Sequence, residues 1–430
     1  MFNVIKFFEL IISVVLLIDT IHTVFLRKII INAHWCSYYV FQVFFIIPNI
    51  ILLLCGKLDI RSYGYRFIYN NWKVEFVYTV FILFMYIMLK KSCLKHLNKM
   101  NIEIVQNIKI KIPFTVVFIS LIGTIVPFLL VLISPQPNLY FDYFAAFERS
   151  NLSGIITEDA RQWHNGILNI GLFLGMISCC ILWVKSLNYK LNSRIILRLY
   201  LIIIGIVIVI FSSKRTLGTL LFIVYLMIDF LLKKKKPWLE AFFIIIGCVS
   251  YFIFYQYIVK KTVGGGISSP VEMYLIYFSR TLDYRFITYS LLNPSDVKIL
   301  DYPCQSFLFD ILPFIRRSNW SNKPYPFGVY YTAAWNNIQI TKVSYRYTVS
   351  WFGEALANLS WIGIPVGFIL YNTMLNIFEK FKNPIVCIFS IFVSVYFMVT
   401  HVQSNYINFI ALFILYVFLE KKIIVKLFKR

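Results

Sequence analysis

The stretch IPFTVVFISLIGTIVPFLLVLIS, residues 112–134, carries no charged side chain. A helix of that length spans about 30 Å of hydrocarbon, and a helix satisfies its own backbone polar groups where water is absent. Comparable apolar runs recur near 4–26, 34–56, 73–90, 165–185, 195–212, 216–232, 238–259, 351–375, 384–400 and 402–420. The chain therefore reads as an all-α, polytopic transmembrane helical bundle of about 11 spans. A β-barrel would show short alternating strands, and the sequence has no such pattern. Composition agrees, since 60% of the residues are hydrophobic and 14% charged, against about a quarter charged in ordinary globular chains. The first run is too long for a signal-peptide core and lacks a small-residue cleavage site, so it is expected to persist.

Charge gives the spans a direction. The formal charge of +23 is concentrated in Lys90–Lys111, Lys185–Arg198, Lys233–Lys236 and Lys421–Arg430, all in links or ends. That is the positive-inside pattern of cytoplasmic segments facing anionic lipid, and it does not call for nucleic acid. It places the carboxyl terminus inside, the amino terminus outside, and 135–164 and 260–350 outside. Residues 57–73 break the pattern, with four basic residues and one acid on the outer side. Cys36, Cys55, Cys179, Cys180, Cys248 and Cys387 fall within spans and Cys304 in the long outer segment, so no disulfide framework is visible.

The organisation is one membrane domain over residues 1–430, with 260–350 as a large periplasmic loop within it. The loop opens on Gly264-Gly265-Gly266, a flexible hinge. Val271–Leu292 follows with Leu275, Phe278, Leu282 and Phe286 at helical spacing. Such a helix lies on the membrane surface or dips back into the bundle. Beyond it Pro303, Pro313, Pro324 and Pro326, with Trp320, Tyr325, Phe327 and Trp335, predict an irregular aromatic loop.

Ionisable groups at membrane depth are costly and are therefore candidates for function. Lys214-Arg215 sits in a tight turn between spans, Arg280 and Arg285 on the amphipathic stretch, Arg316-Arg317 in the loop, and Arg346 just before the ninth span. Arginine forks grip phosphate oxygens in pairs, although the same residues also serve as interfacial anchors. Glu354 opens the ninth span with Asn358 one turn on; it suits a general base or the partner of Arg346 or Arg215. His164 and His401 fall at outer helix ends, where a histidine can receive a hydroxyl proton or simply cap a helix. Glu158-Asp159 is a candidate metal pair, and Asp19 with His22 a candidate relay. Gly363 and Gly367 form a small-residue motif suited to close helix packing. No Walker loop, G-x-S-x-G or H-E-x-x-H occurs.

Ser213-Lys214-Arg215-Thr216 at the opening of a span, a long outer segment, and then Gly353, Glu354, Asn358 and Gly363 in the order G-E-x-x-x-N-x-x-x-x-G resemble the bacterial O-antigen polymerases, the Wzy-type oligosaccharide repeat-unit polymerase family. The likeness covers the general layout of most of the chain, and its motifs involve about thirty residues. Lys214 stands where a glycine is common, and Leu359-Ser360 where Phe-Gly is common. The resemblance implies a glycosyltransferase at the periplasmic face of a bacterial inner membrane. It would move a growing glycan from undecaprenyl diphosphate to the next lipid-linked repeat, without metal or cofactor, with a chain-length regulator as a candidate partner. Arg215, Arg280 and Arg285 would hold the diphosphate, aided by Arg346, and Glu354 would be the base. Tyr277, Tyr284 and Trp320 would pack on sugar faces, with His164 and His401 near sugar hydroxyls. A ligase would differ only in its acceptor, and another, metal-dependent lipid glycosyltransferase would need Glu158-Asp159. A flippase of lipid-linked oligosaccharide should show pseudo-repeated halves and short outer loops, which this sequence lacks.

Overall fold

The computed structural model describes residues 2–27, 32–55, 63–96, 112–142, 147, 154–212, 221, 222, 224–226, 228, 229, 270–277, 279–313, 315, 319–343 and 346–417. Among them every regular element is helical and none is a strand. In chain order these are α1 (Phe2–Arg27), α2 (Ala33–Cys55), α3 (Tyr65–Ile68), α4 (Trp72–Lys95), α5 (Phe114–Leu132), α6 (Glu158–Ser186) and α7 (Leu191–Ser212). Then come α8 (Pro270–Tyr277), α9 (Thr281–Leu292), α10 (Gln305–Ile311), α11 (Phe327–Asn336), α12 (Trp351–Leu359), α13 (Gly363–Phe378), α14 (Pro384–Val399) and α15 (Tyr406–Leu415). Six helical stretches are long and apolar enough to cross a membrane: α2, α4, α5, α6, α7 and the α12–α13 pair. Two shorter apolar helices end the described chain. α1 is more polar because it carries Lys6, Glu9 and Asp19. The expected span 238–259 and most of 216–232 lie outside the described residues.

The outer faces of these helices fit a lipid solvent. On α5 alone Phe114, Phe118, Ile119, Ile122, Ile125 and Leu129 are exposed. An apolar stripe of that size is unfavourable in water and costs nothing in hydrocarbon.

The described residues fall into two compact units, 101–266 and the remainder of the chain. In the first unit α5 packs on α6, and α6 on α7. Gly123 and Gly171 permit that approach, since a Cβ at either would sit 2.1 or 2.2 Å from Ser178 or Leu130. Arg198 grips Asp229 at 3.0 and 2.7 Å, and Trp183 Nε1 donates to the same carboxylate.

In the second unit α2 holds a π-helical turn at Gln42–Ile46. Such a turn shifts the hydrogen-bond ladder and turns carbonyls outward. Three successive ones receive the segment 274–281. Tyr274 Oη donates to Val43 O at 2.6 Å, Arg280 N to Phe44 O at 2.9 Å, and Thr281 Oγ1 to Phe45 O at 3.2 Å. The expected helix Val271–Leu292 is therefore interrupted between Tyr277 and Thr281, because Arg280 gives its amide to α2. Of the two placements left open by the sequence, α9 takes the inner one. Residues 281–290 are all buried, and α9 packs against α3, α4 and α12. The irregular loop foreseen for 303–335 contains two helices, α10 and α11, the latter a buried aromatic element.

Arg285 explains why α9 sinks. Its guanidinium, 1% exposed, donates through Nη2 to Glu9 Oε1 and Asn49 Oδ1 at 2.7 Å each and through Nε to Glu75 Oε2 at 2.8 Å. Tyr78 lies beneath it, 4.0 Å from ring centre to Cζ. The described part of the anomalous link, 63–73, packs beside α9. Gly64 N donates to Trp335 O at 2.8 Å, and a Cβ at Gly64 would stand 2.5 Å from the Trp335 ring. Arg66 stacks over Tyr63 and Phe67, so this cation of the link rests on aromatic faces.

The ninth predicted span is broken. α12 stops at Leu359, Ser360 adopts a left-handed φ of 55°, and α13 resumes at Gly363. A Cβ at Gly363 would lie 2.1 Å from the Ala355 carbonyl oxygen, so the fold-back needs glycine there. Trp351 Nε1 closes the contact by donating to Gly367 O at 2.9 Å.

Removing one partner from a buried ion pair leaves an uncompensated charge, at a cost of about 3–5 kcal/mol. Arg285→Ala should lower stability by about that amount. The combined change Glu9→Gln, Glu75→Gln and Arg285→Met should recover most of it, as read by thermal unfolding in detergent micelles.

Candidate functional site

The site is built around the bend between α14 and α15, residues 400–405. Helix α14 ends at Val399, and the carbonyls of a helix's last turn lack intrahelical donors. Arg280, 5% exposed, supplies one: its Nε donates to Val399 O at 2.7 Å. Its Nη1 donates to Ser279 O at 2.8 Å and lies 3.5 Å from Asp283 Oδ2. Tyr331 Oη donates to Asp283 Oδ1 at 3.1 Å. Burial pushes the Asp283 carboxyl up to about 6, against the opposing pull of Arg280 and the Tyr331 hydroxyl.

His401 is buried in the bend, its Nε2 3.1 Å from Ser404 Oγ. Its ring lies against Gly328, where a Cβ would stand 3.3 Å from Cε1. Burial, Arg346 and Arg280 push its imidazolium down to about 4, so the ring is neutral at physiological pH. Arg346 is exposed at the rim, and its Nη1 donates to Gln403 Oε1 at 3.0 Å.

Glu354 holds the other flank of the same bend. It opens α12, which Ser350 caps by accepting from Gly353 N at 3.1 Å. Val402 N donates to its Oε2 at 2.8 Å and Ser306 Oγ to its Oε1 at 3.3 Å. Asn358 fixes Ser306: its Nδ2 donates to Ser306 Oγ at 2.8 Å, and its Oδ1 accepts from Ser306 N at 3.1 Å. The Asn358 carbonyl, freed by the helix break, accepts from Cys304 N at 3.0 Å. No arginine pairs with Glu354 among the described residues; Arg346 turns to Gln403, and the neighbour of Glu354 is a second carboxyl, Asp310. Tyr406 Oη donates to Asp310 at its carbonyl, 2.7 Å, and at Oδ1, 3.0 Å.

The fold thus gathers Arg280, Arg346, His401 and Glu354 about one bend. Arg285 and Tyr284 lie deeper: Arg285 is enclosed by carboxylates, and Tyr284 is fully buried with its ring stacked 3.8 Å from Phe81. Both side chains are thus enclosed by protein. The reason is that α9 enters the bundle instead of floating on it. Trp320 stays partly exposed, its carbonyl accepting from Lys323 N at 3.0 Å. His164 belongs to the other unit, stacked 4.0 Å from Phe147 with Tyr140 Oη at 3.2 Å. Arg215 and the Tyr277 side chain lie outside the described residues.

Glu158 and Asp159 are exposed at the start of α6, which Thr157 caps. Asp19 pairs with Lys90 and accepts from Tyr86, both on α4. Sequence reading missed Asp283, Asp310, Glu9, Glu75 and Tyr406. Only Asp283, three residues from Arg280 on a helical pattern, carried a usable signal. No family model, curated protein or solved structure matches the chain.

Chemically, two arginines and a neutral imidazole on one flank suit an anionic leaving group beside a hydroxyl. The carboxyls on the other flank suit proton uptake.

The Asp283 carboxyl stands above its ordinary 3.8, so its stabilising contribution is full below that value and is lost as pH rises through about 6. Asp283→Asn should therefore flatten the fall in stability over that interval relative to the unsubstituted protein, measured as melting temperature against pH.

Proposed function

We propose that the protein polymerises lipid-linked oligosaccharide repeat units, transferring a growing glycan from polyprenyl diphosphate to the next lipid-linked repeat. One observation carries this reading: Arg280 and Glu354 grip opposite flanks of the same bend, at Val399 O and Val402 N. These are two of the residues that the sequence resemblance singles out. The membrane helices support it too, since both substrates are lipids.

In this reading the protein lies in a bacterial inner membrane with about 11 spans and the 260–350 segment on the periplasmic side. Arg346 and Arg280 stabilise the charge that builds on the departing diphosphate, and such preorganised donors are worth roughly 10²–10³-fold in rate. His401, uncharged, accepts or donates a hydrogen bond at a sugar hydroxyl. The carboxyl flank takes the proton of the acceptor hydroxyl. Arg285 belongs to the scaffold that holds α9 in place.

The test is complementation of a deletion strain, read as the ladder of polysaccharide chain lengths. Arg346→Ala removes only a rim hydrogen bond, so the protein should accumulate normally while long chains fall by roughly tenfold or more in favour of single repeats. Complete loss of surface polysaccharide in the deletion strain would point to a ligase or an exporter, and an unchanged ladder would refute the proposal.

A further inference from the structure

Glu354 cannot touch a sugar as it stands: its exposure is 0%. Asp310, partly exposed on α10 in the outer segment, is the neighbouring carboxyl. Two helical pairs bring them together. Glu354 accepts from Ser306 and Val402; Asp310 lies one turn beyond Ser306, and its partner Tyr406 one turn beyond Val402. The same two segments therefore clamp both carboxyls from either side.

An inventory of donors leaves one gap. Both Glu354 oxygens have a donor, and Asp310 Oδ1 has Tyr406 Oη. Asp310 Oδ2 is buried with no hydroxyl or amide donor, while the contacts of Ser306 and Val402 with Glu354 and of Tyr406 with Asp310 place the two carboxyls side by side. No lysine or arginine among the described residues pairs with either one. Two like charges so placed cannot both ionise, and the donor that fills the gap is a carboxyl O–H.

We infer that Asp310 is the catalytic carboxyl of the proposed transfer and Glu354 its positioning partner, the two held around one shared proton. This rests on the polymerase reading for the reaction and on the geometry alone for the pair. Burial pushes the Asp310 carboxyl up to about 6, partly opposed by its hydrogen bonds with Glu354 and Tyr406, which suits proton uptake near neutral pH. The other titratable groups nearby are Tyr406, Cys304, whose Sγ lies 3.9 Å from Asn358 O, and His401 across the bend.

In the step, the acceptor hydroxyl oxygen bonds to the anomeric carbon as the bond from that carbon to the diphosphate oxygen breaks. The hydroxyl proton passes to the ionised member of the pair, and the bonding electrons leave with the diphosphate beside Arg280 and Arg346. The proton is then released to water.

The experiment uses the full-length protein in lipid nanodiscs and in the complemented strain. Infrared spectroscopy of the nanodisc sample should show a protonated-carboxyl stretch at neutral pH that disappears in both Asp310→Asn and Glu354→Gln. Asp310→Asn should reduce polymerisation by roughly 10²-fold or more. Glu354→Gln should keep measurable activity but move the rising limb of its pH profile to higher pH, because Asp310 then loses the carboxyl proton that stabilises its ionised form. A simple packing role for Glu354 would leave that limb where it is. Absence of the band in the unsubstituted protein, or its persistence in both variants, overturns the pair. A normal ladder from Asp310→Asn in a strain where Arg346→Ala loses it overturns the catalytic role while leaving the polymerase reading standing.

Discussion

The bend at residues 400–405 is the point on which the second unit's arrangement turns. A helix end in an apolar surrounding must find partners for its last carbonyls, and the chain cannot supply them locally when it reverses direction so abruptly. Arg280 reaches in from α9 to take Val399 O, and Glu354 reaches in from α12 to take Val402 N. A cation and an anion thereby share one turn of backbone without touching each other. Each keeps a face for other neighbours, Asp283 for the first and Asp310 for the second. Four helices converge because one bend has donors and acceptors that only charged side chains from elsewhere satisfy.

The way the long segment enters the bundle follows from a second unsatisfied stretch of backbone. The π turn in α2 offers the carbonyls of Val43, Phe44 and Phe45, and residues 274–281 take all three. That contact sets the depth of Arg280, and Arg285 five residues on is then level with Glu9 and Glu75. Backbone irregularities in α2 and α12 thus do as much to place the ionisable groups as the groups' own attractions do.

Much of this was legible in the sequence, and the parts that were not have physical reasons. Apolar length alone marks α2, α4, α5, α6 and α7, because hydrocarbon thickness imposes it. The Glu354, Asn358 and Gly363 spacing marks a corner of the chain, and all three bear on one fold-back. The depth of α9 was hidden. Its stripe of Leu282 and Phe286 looks like a surface helix, and only partners far away in the chain, at positions 9 and 75, reveal why the opposite face is also buried. Asp310 was hidden for the same reason: a single carboxyl in an aromatic segment gives no sign of the carboxyl it will meet. Tyr284 is covered on another side of α9, where its ring stacks on Phe81.

Glu9 and Arg285 are separated by 276 positions in the chain. At ordinary rates of synthesis, about 5–20 residues per second, roughly 15–55 s pass between the making of one and of the other. The first helix is thus laid down well before Arg285 exists. Lys6, three positions earlier on α1, lies within electrostatic reach of the carboxyl, and Asn49, 40 positions on, donates a hydrogen bond to it through its Nδ2 at 2.9 Å. The Asn49 amide is thus made long before the guanidinium that completes the same buried cluster.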